Sequence, residues 1–391
     1  MSALRVACVS AHGSPFAAPG AGSAGGMSVF LRSMMQALTD AGVWMDVYAA
    51  SDGPCPGSFE QEPPRVTHVA AEDAPGFADD LLAAVDETGV DYALVHSHYW
   101  TSAEPGLRLA ERLGVPHVFT GHTIAVIKER AGGAPEPEPR KYAEADAIRR
   151  SDAVVTFTEA ESASLCDLFG LAPDRTHAVP MGVDTTLFGP QPRAEARAAL
   201  GIGGDERVVL SVGRIEPFKG TDVLVRAIAL LDTSQDVRLL VVGGREGEPG
   251  TEWLRETARA SEVSGLLDWR AAVPQRELPS YYAAADVCAV PSLHETFGLV
   301  ALEAMACGIP VAASDTGGLR ELVRHGESGL LCKPGDAAAL AEAFDAMLGD
   351  PLLAQRMGEA GAAQARRFTW DASAARLAEV YEQVVSARLN G

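Results

Sequence analysis

Lysine is the scarcest charged residue here: only Lys128, Lys141, Lys219 and Lys333 occur in 391 residues. Positive charge as a whole is short, with 32 Lys and Arg against 53 Asp and Glu and a formal net charge of −21. That balance argues against nucleic acid and anionic membranes as partners, since both need a basic surface. The deficit is uneven. Between Arg32 and Arg108 only Arg65 is basic, while Glu72, Asp73, Asp79, Asp80, Asp86, Glu87 and Asp91 recur. A solvated, solubilising face explains such a stretch, and so does a cleft wall that attracts a cationic substrate. No run of eighteen apolar residues exists, so no membrane-spanning helix is expected. The chain opens on an apolar strand signal, "LRVACVS", without a charged leader or signal-peptide core, which points to a cytoplasmic location. The six cysteines (Cys8, Cys55, Cys166, Cys288, Cys307 and Cys332) form no CxxC pair and are expected as buried thiols in a reducing compartment, with no zinc site. Internal repeats and low-complexity tracts are absent, as are GxSxG, HExxH, a Walker loop and a convincing DxD metal motif.

What is present is alternation. Strand and helix signals follow one another from end to end, implying parallel sheets with helices on both faces. The first half carries "LRVACVS", "MDVYAA", "YALVHS", "PHVFT", "AVVTFT" and "THAVP". Near "MGVDTTLFGPQP" (Met181 to Pro192) the pattern breaks into a Gly- and Pro-containing connector, after which "RVVLSVG", "VRLLVVGG", "DVCAVP", "PVAAS" and "GLLC" form a second series. The length suits two cores rather than one. The expected architecture is α/β: two doubly wound domains, 1–188 and 189–370, facing a central cleft. A C-terminal helix over 371–391 is expected to pack back on the first domain, with Asp371 as its N-terminal cap. "GGAPEPEPRK" (Gly132 to Lys141) reads as a surface loop able to fold over a cleft.

The segment "HETFGLVALEAMACGIPVAASDTGG" (His294 to Gly318) holds two acids, Glu295 and Glu303, with seven residues between them. A strand precedes it, Gly298 opens a helix that ends at Gly308-Ile309-Pro310, and a strand follows. Glu295 therefore sits in a loop at the carboxyl end of a parallel strand, where open α/β sheets bind ligands. Gly298 allows close backbone approach, and the amides of Phe297, Gly298 and Leu299 lie at a helix N-terminus, which suits an anion. Glu303 is more than a turn further in. Acids and amides together fit a ligand with both hydroxyls and phosphates, such as a sugar nucleotide. Taken singly, Glu295 also fits an electrostatic cap of the helix and Glu303 a solvated face.

Three further constellations share that setting. "GRIEPFKG" places Arg214 and Lys219 on a loop after the second domain's first strand, where two cations can hold a diphosphate and stabilise it as it leaves. Gly25 and Gly26 stand where a helix begins after the first strand, which lets main-chain amides approach a phosphate or sugar. The pattern is not GxGxxG, so a nicotinamide dinucleotide is not expected. His96, His98 and His122 end two strands; carboxylate partners at metal-ligand spacing are missing, and His122 reads better as a hydrogen-bonding group near a sugar.

Together these pieces resemble the retaining GT-B glycosyltransferases of family 4: the EX7E spacing of Glu295 and Glu303, the basic loop "GRIEPFKG", and the first-domain loops "GGMSVF" and "GHT", in order over nearly the whole chain. The likeness is greatest to the family's inositol-phosphate glycosyltransferases of mycothiol synthesis. The resemblance implies a UDP-sugar donor on the second domain, acting as a co-substrate with no further cofactor and no metal, and an acceptor on the first. It assigns the diphosphate to Arg214 and Lys219, the ribose to Glu303, the uracil to backbone at Val273, and the donor sugar's hydroxyls to Glu295 and the amides of Phe297 to Leu299. Gly25 and Gly26 would approach the diphosphate, and His122 would lie beside the transferred sugar. For the acceptor it implies Tyr99, Thr123 and either Arg140 or Lys141, with Ser28 where asparagine is usual. The phosphate-binding lysine is missing from "VAAEDAPGFADDL", which offers Glu72 and Asp73 instead. The expected acceptor is therefore a cationic aminocyclitol or aminoglycoside of an antibiotic pathway. The alternatives are the inositol-phosphate reaction with UDP-GlcNAc and, remotely, a GT-B sugar-nucleotide epimerase. A homodimer is among the assemblies expected.

Overall fold

The computed structural model describes residues 4–15, 25–51, 65–70, 74–231 and 236–390. Glu72 and Asp73 fall outside the described residues, as does Cys55. Seven parallel strands form the first sheet: β1 (Leu4–Ser10), β2 (Val43–Ser51), β3 (Val66–Ala70), β4 (Leu94–His98), β5 (His117–Thr120), β6 (Ala153–Thr156) and β7 (Thr176–Ala178). Their order is β3-β2-β1-β4-β5-β6-β7. Six parallel strands form the second: β8 (Arg207–Val212), β9 (Val237–Val242), β10 (Leu267–Arg270), β11 (Val287–Val290), β12 (Val311–Ser314) and β13 (Gly329–Cys332), in the order β10-β9-β8-β11-β12-β13. The doubly wound pair of sheets expected from the alternating signals is present. Covered on both faces, the central strands are continuous apolar runs: Val6 to Val9 and Val208 to Leu210 are fully buried.

Each sheet reverses direction beside its first strand, between β1 and β4 and between β8 and β11. Such a switch point opens a crevice at the carboxyl ends of the strands. The chain passes between the sheets twice, and the two passages lie against each other. Val183 N–H donates to Phe368 C=O at 2.9 Å. A Cβ on Gly182 would run into the backbone of Thr369 and Trp370, so only glycine permits that approach. The helix Trp370–Asn390 returns to the first sheet, where Tyr381 Oη meets His96 Nδ1 at 2.7 Å and Trp370 packs edge-on against Phe30.

Two local expectations need correction. The last helix begins at Trp370, and its cap is Thr369, whose hydroxyl accepts from Ala372 N–H at 3.2 Å; Asp371 lies inside the first turn. The loop expected as far as Lys141 ends at Pro137, because Pro139 fits the first turn of a helix, where no amide is required, and the helix Glu138–Arg150 carries Arg140 and Lys141. Among the described residues no helix is long and apolar enough to cross a membrane, and Cys8, Cys166, Cys288, Cys307 and Cys332 are free thiols.

Candidate active site

The candidate residues converge because each follows the carboxyl end of a strand. From the first sheet, the loop after β1 carries His12 and leads to Gly25, Gly26 and Ser28. Tyr99 follows β4, and His122 and Thr123 follow β5. From the second, Arg214 and Lys219 follow β8, Val273 follows β10, and Glu295 to Leu299 follow β11. The two sets meet across the cleft: a Cβ on Gly26, the first residue of the helix Gly26–Asp40, would lie 3.6 Å from Leu299 Cδ1. Two N-terminal helix ends thus face each other. Ser28, buried in the first turn of its helix, shares this position.

On the second-domain side, Lys219 Nζ lies 2.7 Å from Glu295 Oε2, and Ser292 Oγ donates to the same oxygen at 3.1 Å. Burial raises the Glu295 carboxyl, but the charge and hydrogen bond of Lys219 outweigh it and hold the group below the usual carboxylate range. The two glycines ending the EX7E segment now have a reason. A Cβ on Gly317 (φ +47°) would strike the carbonyl of Glu295, and one on Gly318 the backbone of Phe297, while Gly318 N–H donates to Glu295 C=O at 2.8 Å. The loop is thereby held rigid from behind. Gly298 has φ +110° and caps the helix Leu299–Ala306; no acceptor is recorded among the described residues for the amides of Phe297, Gly298 and Leu299. Arg214 is half exposed and pairs with Glu216 at 3.2 Å.

Glu303 is buried, and both of its oxygens accept: Gln275 Nε2 at 3.0 Å and Tyr282 Oη at 2.8 Å. Burial pushes its pKa up to about 7 against those two donors. The two acids of the motif are therefore electrically different, Glu295 held ionised by a lysine and Glu303 poised near neutrality. The sign is set by what the acid must do. If Glu303 receives the ribose, as the resemblance implies, the ionised carboxylate is the better acceptor for two hydroxyls, and protonation turns one of its oxygens into a donor. Donor affinity is then expected to be complete about one unit above pH 7 and to weaken as pH falls through 7, approaching tenfold per unit well below the pKa. UDP-sugar affinity measured from pH 6 to 8.5 checks this, and a flat profile would rule out Glu303 as the ribose acceptor.

On the first-domain side, strain marks the site. Tyr99 (φ 70°, ψ 161°) and His122 (φ 59°) are non-glycine residues with positive φ, which costs on the order of 1–3 kcal/mol each and persists where surroundings over-determine it. Arg140 brings the acceptor candidates together. Its Nη2 donates to the carbonyl and hydroxyl of Thr123, both at 3.0 Å, and its guanidinium lies 5.1 Å from the Tyr99 ring centroid. Glu144 accepts from Arg140 Nε at 2.7 Å and Glu136 from its Nη1 at 2.9 Å. Lys141 is not part of this group: its ammonium is taken by Glu129 and Glu138 at 3.3 and 2.6 Å. Consecutive residues of a helix point about 100° apart, so Arg140 and Lys141 face different sides.

The histidines form a buried, neutral set. His96 bonds Tyr381 and Thr120, while His98 Nδ1 and His122 Nε2 lie 3.1 Å apart. Burial keeps His98 and His122 well below the ordinary histidine range. His98 Nε2 and His122 Nδ1 have no hydrogen-bond partner among the described residues. Among the described residues no group of three His, Cys, Asp or Glu side chains is arranged to hold a metal. Asp79 belongs to a solvated surface rather than a cleft wall, since it is exposed and paired with Arg108 at 2.6 Å; Asp86 pairs likewise with Arg112.

Sequence reasoning missed the supporting residues. His12 stacks on Tyr99 at 4.3 Å, and burial with the charges of Arg140 and Arg214 lowers its pKa, which puts it within the field of both domains' cations. Gln275, Tyr282, Ser292, Glu136 and Glu144 carried no local signal, because each acts on a residue that only folding brings near.

Two facing Rossmann-like sheets with such a cleft define a glycosyltransferase of the GT-B architecture. Residues 24–187 match the family model described as Glycosyltransferase Family 4, and residues 192–364 match Glycosyl transferases group 1. The chain belongs to glycosyltransferase family 4. It is 38% identical to the D-inositol 3-phosphate glycosyltransferase of Thermobispora bispora, over 97% of this chain and 95% of that protein. It is 39% identical to that of Acidothermus cellulolyticus, over 98% and 91%. Among solved structures it resembles a sucrose-phosphate synthase from Thermosynechococcus elongatus, with a TM-score of 0.88, 32% identity and coverage of 98% of this chain and 100% of that one. Anabaena HepE in complex with UDP and glucose shares the fold, with a TM-score of 0.82, 23% identity and coverage of 97% and 100%.

Proposed function

We propose that this enzyme moves a hexosyl group from a UDP-sugar to a hydroxyl of a phosphorylated cyclitol, with retention and without a metal. The observation that carries the acceptor side is the convergence of Tyr99, Thr123 and Arg140 on one wall. The curated relatives named above support this acceptor over the aminoglycoside expected from the missing lysine, since both are named for D-inositol 3-phosphate.

In this reading Glu303 receives the ribose hydroxyls, backbone at Val273 meets the uracil, and the sugar's hydroxyls lie between Glu295 and the amides of Phe297 to Leu299. Gly25 and Gly26 allow the first domain to approach the diphosphate, and the unpartnered Nδ1 of His122 lies beside the transferred sugar. Negative charge grows on the diphosphate as the glycosidic bond breaks. Lys219 has three donors and gives one to Glu295, so it can serve the diphosphate without releasing the acid. Arg214 adds a second cation. The acceptor hydroxyl then enters on the face that the diphosphate leaves, which preserves configuration.

One observation favours a second reading, the cationic aminocyclitol. Four of the five N–H donors of Arg140 are already engaged, two of them by carboxylates, and Lys128 is bound to Glu136 at 2.6 Å. The two readings separate in one assay: kcat/KM for inositol phosphate against neamine-type acceptors, with each UDP-sugar. Inositol phosphate is expected to be used at least a hundredfold more efficiently. Transfer to the aminocyclitol alone would reverse the assignment.

A further inference from the structure

Gln275 stands between the two domains at the donor site. Arginine only donates and an ionised carboxylate only accepts, so the orientation of its amide is settled by its neighbours. Its Oε1 accepts from Arg32 Nη2 at 2.9 Å, and its Nε2 donates to Glu303 Oε1 at 3.0 Å. Arg32 belongs to the helix Gly26–Asp40 of the first domain, the helix whose first residue faces Leu299. Gln275 follows Val273 by two residues, so the segment assigned to the base also holds the carboxylate assigned to the ribose. Around Glu303 the other titratable groups are Tyr282, Cys288 and Cys307, all kept neutral by burial. Among the described residues, the only positive charge that reaches this acid through hydrogen bonds is that of Arg32, by way of Gln275.

We infer that Gln275 is a positioning residue through which Arg32 of the first domain orients the ribose-binding carboxylate of the second. Nucleotide recognition is then complete only when the first domain is closed on it. Opening the cleft removes Arg32, frees the amide to turn, and takes a fixed donor from Glu303. Closing it restores all three. The coupling runs both ways by necessity: a donor that prefers the aligned carboxylate also favours the closed arrangement.

The inference rests on the donor reading of Glu303, and calorimetry on the full chain separates the two. The probes are UDP-glucose and UDP-N-acetylglucosamine, whose diphosphates are esterified at both ends and do not titrate near neutrality. If neither binds the wild-type chain, the donor reading falls. Given binding, Gln275→Leu is expected to weaken affinity about tenfold at pH 7, the scale of a hydrogen bond to a charged group. It should also raise the pH midpoint of binding, because an ionised carboxylate loses a donor. Arg32→Leu should weaken affinity about threefold, less than Gln275→Leu because Arg32 acts on Glu303 only through the amide and Glu303 keeps its donor, and Arg32→Lys should restore it. The double variant Arg32→Leu/Gln275→Leu should bind no worse than Gln275→Leu alone, since both changes break one chain of contacts. Additive losses, or an unmoved midpoint in Gln275→Leu, overturn the inference. Arg32 is only half-buried, so its variants should fold; if Gln275→Leu does not, equal affinities for Arg32→Leu and Arg32→Lys overturn it instead.

Discussion

Lys219→Ala is expected to lower kcat by about a hundredfold or more while the chain stays folded. The side chain is partly exposed at the end of a short turn, Pro217–Lys219, so truncation leaves no cavity. Its ammonium lies 2.7 Å from Glu295 on the side of the cleft assigned to the diphosphate. Charge develops there mainly in the transition state, and removing one fixed stabilising group costs about 10²–10³ in rate in comparable sites. The loss should fall on kcat more than on donor KM, since an interaction made only in the transition state lowers kcat and kcat/KM together. Glu295 would also lose the cation that keeps its carboxyl below the usual range, and its apparent pKa would rise. Steady-state kinetics with thermal melting as a folding control decides the matter. A near-normal kcat in a folded variant removes Lys219 from the mechanism.

Arg140→Leu is expected to cost about 3–5 kcal/mol of stability, because it strands a buried charge. Arg140 is 5% exposed and Glu144 is 1% exposed, with Nε donating to Glu144 Oε1 at 2.7 Å. Burial already raises the Glu144 pKa, and the arginine is what offsets it. For a domain of this size the loss corresponds to a fall of roughly 10 °C in Tm. Acceptor turnover should vanish as well, since Thr123 and Tyr99 lose the group that joins them. Glu144→Gln on the Arg140→Leu background separates the two effects. Removing the stranded charge should recover most of the Tm but not kcat/KM for the acceptor. Recovery of both would make Arg140 purely structural, and an Arg140→Leu chain as stable as wild type would refute the buried-charge argument.

The central strands and the EX7E segment were legible in the sequence, and the reason is local. A strand buried on both faces reads as a near-continuous apolar run, as "VACV" and "VVL" are. The strands that were missed, β3 and β10, are both sheet edges. β10 reads Leu-Asp-Trp-Arg, and all four residues are half-buried; Asp268 accepts from Arg238 and Arg270 at 2.7 Å. An edge strand keeps one side toward solvent and tolerates charge, so its apolar signal is broken.

By itself the sequence determined the fold class, the place of the connector and the identity of the paired acids, because each depends on residues close together along the chain. Tertiary structure alone decided which neighbours tune them. Glu295 and Glu303 look alike as letters, yet a lysine 76 residues away holds one ionised, while burial with a glutamine and a tyrosine leaves the other near neutrality. It also decided that Arg140 rather than Lys141 faces Thr123, and that Asp79 serves a surface ion pair. Arg32 and Gln275 are 243 residues apart. Hydrophobic periodicity reports which face of an element is buried, whereas hydrogen bonds and desolvation depend on which elements meet, and that is settled only when the two sheets close on each other.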